Sequence, residues 1–152
     1  MKKLIAFFVI AILLISIRYF KTDDFSPFRD FSHVVIVSAK PYNDLTVQVQ
    51  NGEQYYYDFE NTEENRVILE NIDKNDVEGY VFYYQLDKKL KDFTSHFDYI
   101  YQGEAVGSYD VYYGYYAGYN DFRYVSGKKV NFQLVKTDSS WILGLPLIVT
   151  GY

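Results

Sequence analysis

Tyr80-Val81-Phe82-Tyr83-Tyr84-Gln85-Leu86 is apolar at every position except Gln85. Side chains alternate along a strand, so Tyr80, Phe82, Tyr84 and Leu86 share one face and Val81 and Tyr83 the other. A strand apolar on both faces must be covered on both, which places it centrally in a sheet. The period changes on either side. Upstream, Asn61 can cap a helix, with Glu64 three residues on as in a capping box, and Ile68, Leu69 and Ile72 follow at helical spacing. Downstream, Asp87 can cap a second helix. Its Leu90, Phe93 and Phe97 lie on one face, while Lys88, Lys89 and Lys91 face water. Residues 73–79 read as a polar connector.

Further out, everything reads as strand. Residues 34–37 are an apolar run of strand length. Leu45, Val47 and Val49 alternate with polar residues, and Asn51-Gly52 predicts a hairpin with a type I′ turn. Its return strand covers 53–59. Beyond the second helix, strands are expected at 99–106, 109–117, 122–125, 128–136 and 141–149, with Ser126-Gly127 as a tight turn. Pro146 predicts an edge strand or a bulge for the last of these. The fold class is therefore α+β: a curved, mainly antiparallel sheet with two short helices packed on one face, preceded by an N-terminal membrane helix.

That helix is expected from Lys2 and Lys3 followed by an unbroken apolar run over residues 4–17, with Ser16 its one polar member. Leu4, Phe7, Phe8, Ile10, Leu13, Leu14 and Ile17 would be the anchor. A basic start before such a run fits a secretory signal. Arg18, Tyr19 and Phe20 stand where a small-residue cleavage site belongs, so an uncleaved, single-pass signal-anchor is the first reading. A cleaved signal peptide with a secreted domain, and a buried core helix, are the alternatives. Residues 1–20 would then be signal-anchor or signal peptide, 21–30 a tether, and 31–152 a single extracytoplasmic domain, with the amino terminus inside and the domain outside the cell membrane.

Composition removes several function classes. There is no cysteine, which excludes thiol catalysis, cysteine-bound metals and a lipoprotein anchor. Beyond residue 21 the chain carries 11 basic against 20 acidic residues, a formal charge of −9 that opposes nucleic-acid binding. His33 and His96 have no neighbours at ligand spacing, and Ser32 and His33 are expected on opposite faces of a strand. Asp73, Asn75, Asp76 and Glu78 lack the glycine and alternation of a calcium loop. No metal and no cofactor is expected. Glu104 and Asp110 are the nearest carboxylates for glycoside chemistry, with nothing to pair them.

The feature that points to binding is tyrosine. The chain has 18, six of them at Tyr109, Tyr112, Tyr113, Tyr115, Tyr116 and Tyr119. One face of such a strand must cover the core and the other would show rings with polar tips to solvent. Tyr112, Tyr115, Tyr116 and Tyr119 are the candidate contacts for an envelope protein or cell-wall glycan.

The stretches Gly127-Lys128-Lys129-Val130-Asn131-Phe132-Gln133 and Gly144-Leu145-Pro146-Leu147-Ile148, with the terminal Gly151-Tyr152, resemble the closing segment of the YwmB family. The resemblance covers about the last third of the chain. It implies a fold like that of TATA-box-binding protein, a role in the cell envelope of spore-forming Gram-positive bacteria, and a link to sporulation. It brings no catalytic residues, and the fold name is taken as shape alone. The chain is shorter than typical members, and the tyrosine cluster is not part of their pattern. The expected function is a non-catalytic binding or assembly protein of the envelope, with a glycan-acting enzyme as the alternative.

Overall fold

The computed structural model describes residues 24–43, 45 and 49–148. They form β1 (His33–Ser38), β2 (Val49–Asn51), β3 (Gln54–Glu60), α1 (Glu63–Asn71), β4 (Val77–Gln85), α2 (Leu90–Thr94) and β5 (Tyr99–Gln102). Then follow β6 (Asp110–Tyr115), β7 (Arg123–Val125), β8 (Lys128–Val130), β9 (Phe132–Lys136) and β10 (Ser140–Leu145). Eight strands make one sheet in the order β2-β3-β1-β4-β10-β9-β6-β5, while β7 and β8 form a separate hairpin. Every pairing in the large sheet is antiparallel.

β4 is central, between β1 and β10, as its two-faced apolarity requires. Tyr80, Phe82 and Tyr84 are buried toward the helices, and Val81 is buried on the far face. Leu69 of α1 and Phe93 of α2 join the same cluster as Tyr80, Phe82 and Tyr84, so both helices cover one side.

The N-terminal membrane helix is corrected. No helix among the described residues is long and apolar enough to cross a membrane. The two described α-helices have nine and five residues, or ~14 Å and ~8 Å at 1.5 Å per residue, against a hydrocarbon core of ~30 Å. Residues 4–17, where that helix was expected, lie outside the described residues.

Residues 24–31 do not behave as a tether. Phe28 and Phe31 are buried, and the Phe25 ring lies 4.6 Å from that of Tyr80. Hydrogen bonds fasten the segment: Asp24 N–H donates to Gly118 O (2.8 Å), and Asn61 Nδ2 donates to Arg29 O (2.9 Å) and Phe31 O (2.7 Å). With α1 and α2 so short, this irregular segment supplies a large part of the cover over the sheet.

That use of Asn61 displaces the predicted cap. Thr62 is the N-cap of α1, its hydroxyl accepting from Asn65 N–H (3.2 Å). α2 begins after Lys89 rather than at Asp87, with Asp92 accepting from Lys89 N–H (2.8 Å), and Phe97 lies beyond its end. The Asn51–Gln54 pair closes the first hairpin over Gly52 and Glu53, with Gly52 at φ 62°. Asn51 stays in its strand, so the turn is shifted by one residue from the predicted type I′. The second hairpin is as expected: Ser126 (φ 49°) and Gly127 (φ 76°) both adopt the positive φ of a type I′ turn.

The single strand expected over 128–136 is two. Asn131 divides β8 from β9 and is fully buried. Its Oδ1 accepts from Tyr116 N–H (2.7 Å), and its Nδ2 donates to Tyr116 O (2.7 Å) and Tyr119 O (2.8 Å). One amide thus satisfies three backbone groups where the chain leaves the large sheet. β10 is not an edge strand, because Pro146 falls just after its last residue and removes no ladder hydrogen bond.

Candidate functional site

The aromatic surface forms where β5 and β6 meet the β7–β8 hairpin. Register pairs Tyr99 with Tyr115 and Tyr101 with Tyr113. Val111, next to them on that face, pairs with Val135, while Tyr112 pairs with Leu134 on the helix side. The rings of Tyr99 and Tyr115 are nearly parallel at 6.2 Å, and those of Tyr101 and Tyr113 stand 5.9 Å apart. Such cross-strand pairs stabilise a sheet edge by ~0.2–1 kcal/mol each.

The tight turn at Ser126-Gly127 brings Lys128 and Lys129 over these rings. Lys128 Nζ lies 4.1 Å from the centroid of Tyr101. Lys129 Nζ lies 4.9 Å from that of Tyr115 and 4.2 Å from that of Phe122. Phe122 meets Tyr124 edge to face at 5.7 Å, and Tyr101 Oη donates to Val125 O (3.4 Å). The result is a ridge of alternating rings and ammonium groups on an otherwise acidic domain. Tyr99 is 41% exposed, Phe122 37% and Tyr124 69%. Desolvation raises the Tyr99 and Tyr101 hydroxyl pKa values, with Lys129 opposing the shift at Tyr99. β5 is the last strand of the sheet, so its outer edge has no neighbouring strand among the described residues.

The four tyrosines singled out from sequence are divided between the two faces. Tyr115 belongs to the ridge. Tyr112 is half-buried against the core, its ring 6.4 Å from Trp141. Tyr116 and Tyr119 are buried. Tyr116 Oη donates to Asp24 O (2.9 Å) and Tyr119 Oη to Leu145 O (3.3 Å), so both tie core segments together. Tyr99, Phe122, Tyr124 and Lys129 were not singled out. Their signal was the alternation of rings over 99–101 and 122–124 with Lys128-Lys129 behind a tight turn. Density of tyrosine drew attention to one strand, whereas the surface is built across four.

The other polar residues have local duties. Ser32 and His33 are not separated by the pleat, because Ser32 precedes β1. Its Oγ lies 3.3 Å from His33 Nδ1 and donates to Tyr83 O (2.9 Å), while the His33 ring stacks on Tyr83 at 4.1 Å. That hydroxyl proton is directed at a carbonyl. Asp73 accepts from Asn75 N–H, Asp76 pairs with Lys40 (2.9 Å), and Glu78 accepts from Gln54 Nε2. Among the described residues no group of three or more His, Cys, Asp or Glu is placed to hold a metal ion. Glu104 and Asp110 are both exposed, flanking the bridge between Val106 and Tyr109.

No protein-family model, curated protein or solved structure matches the chain.

Proposed function

We propose that this domain is a non-catalytic binding protein of the bacterial cell envelope, and that the ridge of Tyr99, Tyr115, Phe122, Tyr124 and Lys129 grips an acidic, extended segment of a protein partner. The observation that carries the reading is the exposure of Tyr99, Phe122 and Tyr124 around ammonium groups that already hold the neighbouring rings in place. Tyrosines ordered before binding lose little freedom on contact, which is how they come to dominate interfaces. Lys128 and Lys129 concentrate positive charge on a domain of formal charge −9, from 11 basic and 20 acidic residues beyond residue 21, and this favours an acidic partner. The outer edge of β5 offers main-chain groups to an extended segment. The envelope address is supported by the basic and apolar character of residues 2–17. The resemblance of the C-terminal third to the YwmB family supports the same address and a setting in sporulation.

The test compares the chain with a Tyr99→Ala/Tyr124→Ala variant for binding to envelope proteins and to purified wall glycan. Both side chains are exposed, so the variant keeps its melting temperature within a few degrees. Salt-sensitive binding to an envelope protein, lost in the variant, is the expected result. Binding to bare wall glycan alone would replace the protein partner with a carbohydrate. Equal binding by both chains would remove the ridge from the function.

A further inference from the structure

On the opposite, helix-bearing face, residues 24–31 and α1 border an open cavity of about 290 Å³ against the sheet. Its floor is apolar: Phe31, Leu69, Tyr80 and Phe82 are all buried. Phe25 and Ser26 complete the wall, and its charged lining sets Arg29, Arg66 and Lys74 against Asp24 and Glu70. Both acids are engaged. Glu70 lies 3.6 Å from Arg29, and the Asp24 carboxylate accepts from Ser26 N–H (2.9 Å) and Tyr116 Oη (3.3 Å). Two of the cations have no such partner: among the described residues, no carboxylate forms an ion pair with Arg66 or Lys74. Arg66 is braced through Nε on Asn61 Oδ1 (2.7 Å), and Lys74 Nζ stands 5.1 Å from the centroid of Phe25.

We propose that this cavity binds a small organic anion with an apolar body, such as an aryl or short alkyl carboxylate. The apolar floor accepts the body, and Arg66 and Lys74 accept the carboxylate at the mouth. The volume of about 290 Å³ stands at the lower end of small-molecule sites, ~300–1,000 Å³, which suits a small ligand of about ten to twelve non-hydrogen atoms. The walls are built before any ligand arrives. Residues 24–31 are fastened through Gly118, Tyr116 and Asn61, so binding orders little further chain.

The full chain is titrated with 3-phenylpropionate and followed by NMR of the Leu69 methyl groups. The expected result is saturable binding with a Kd of about 1 mM or tighter, the range open to a ligand of this size. The uncharged 3-phenylpropanamide should bind at least about fivefold more weakly, since only the acid meets the cations. Lys74→Gln should weaken the acid about threefold and leave the amide unchanged. Leu69→Phe fills the cavity and should abolish both; if it does not fold, Arg66→Gln, at an exposed position, tests the acid in its place. Failure to saturate overturns the proposal. So do shifts that centre away from Leu69, and an amide that binds as tightly as the acid.

Discussion

Tyr116 shows how a residue that reads as a surface ring works as a core fastener. Its ring meets Phe28 edge to face at 5.1 Å, and its hydroxyl donates to the backbone and carboxylate of Asp24. Burial first, then the negative charge of Asp24, raises its pKa to about 12. An unfolded tyrosine ionises near pH ~10. The neutral form is favoured in the folded state, so its contribution is complete below pH ~10 and is lost as pH rises from ~10 toward 12. Tyr84, raised well above its ordinary value by burial, adds to the same alkaline loss. Tyr116→Phe keeps the ring and removes the titrating group. The variant should be less stable by about 1 kcal/mol at pH 8, having lost its hydrogen bonds. The gap to the parent chain should narrow by pH 11.5, as read from urea midpoints at the two values. A gap that stays constant would mean that Tyr116 titrates alike in both states. The acid side has the opposite sign. Hydrogen bonds from Ser26 hold Asp24 below 3.8, so its contribution is present above that pH and is lost on further acidification.

Among the elements, α1 separates local pattern from tertiary demand. Asn61 followed by Glu64 is a sound capping signal, yet Thr62 fills the role, because Asn61 is required elsewhere. Its amide holds Arg29 O and Phe31 O, and its carbonyl oxygen accepts from Arg66 Nε. Thr62→Ala should therefore cost about 1 kcal/mol, the ordinary value of a lost cap. Asn61→Ala should cost more, about 2–3 kcal/mol, because it frees two carbonyls and loosens residues 24–31 from the sheet. Thermal melts of the two variants decide the order; a larger loss at Thr62 would restore Asn61 to a minor role. The same contrast explains what could be read from the chain. Apolar residues on both faces of 80–86 place β4 centrally, and Ser126-Gly127 predicts the second hairpin, because both follow from near neighbours in sequence. The break at Asn131 is not local: it exists because Tyr116 and Tyr119, twelve to fifteen residues away, need partners for their backbone groups. The ridge was legible only in its parts. Tyr115 stood out, but Tyr99 and Lys129 become neighbours through a strand register and a turn.

At the scale of the whole molecule, the two faces divide the work. Residues 24–31 lie on the helix face, with Phe28 and Phe31 buried there and Asp24 tied to Gly118 and Tyr116. Tyr99 and Tyr115 of the ridge point to the opposite face of the sheet from Tyr112 and Tyr116. The proposed envelope address then makes a definite claim about access. Protease added to intact protoplasts should remove the domain from cells expressing the full chain, while untreated cells retain it. Cleavage should begin at exposed loops such as that between β5 and β6, where Gly107 adopts φ 62° and the neighbouring side chains are exposed. Prior addition of the partner to the protoplasts should slow cleavage within the β7–β8 hairpin and along β5, where the ridge is covered, and leave sites on the helix face unchanged. A domain protected until the protoplasts are lysed would place it inside the cell. The ridge would then need a cytoplasmic partner, and the envelope and sporulation settings would fall together.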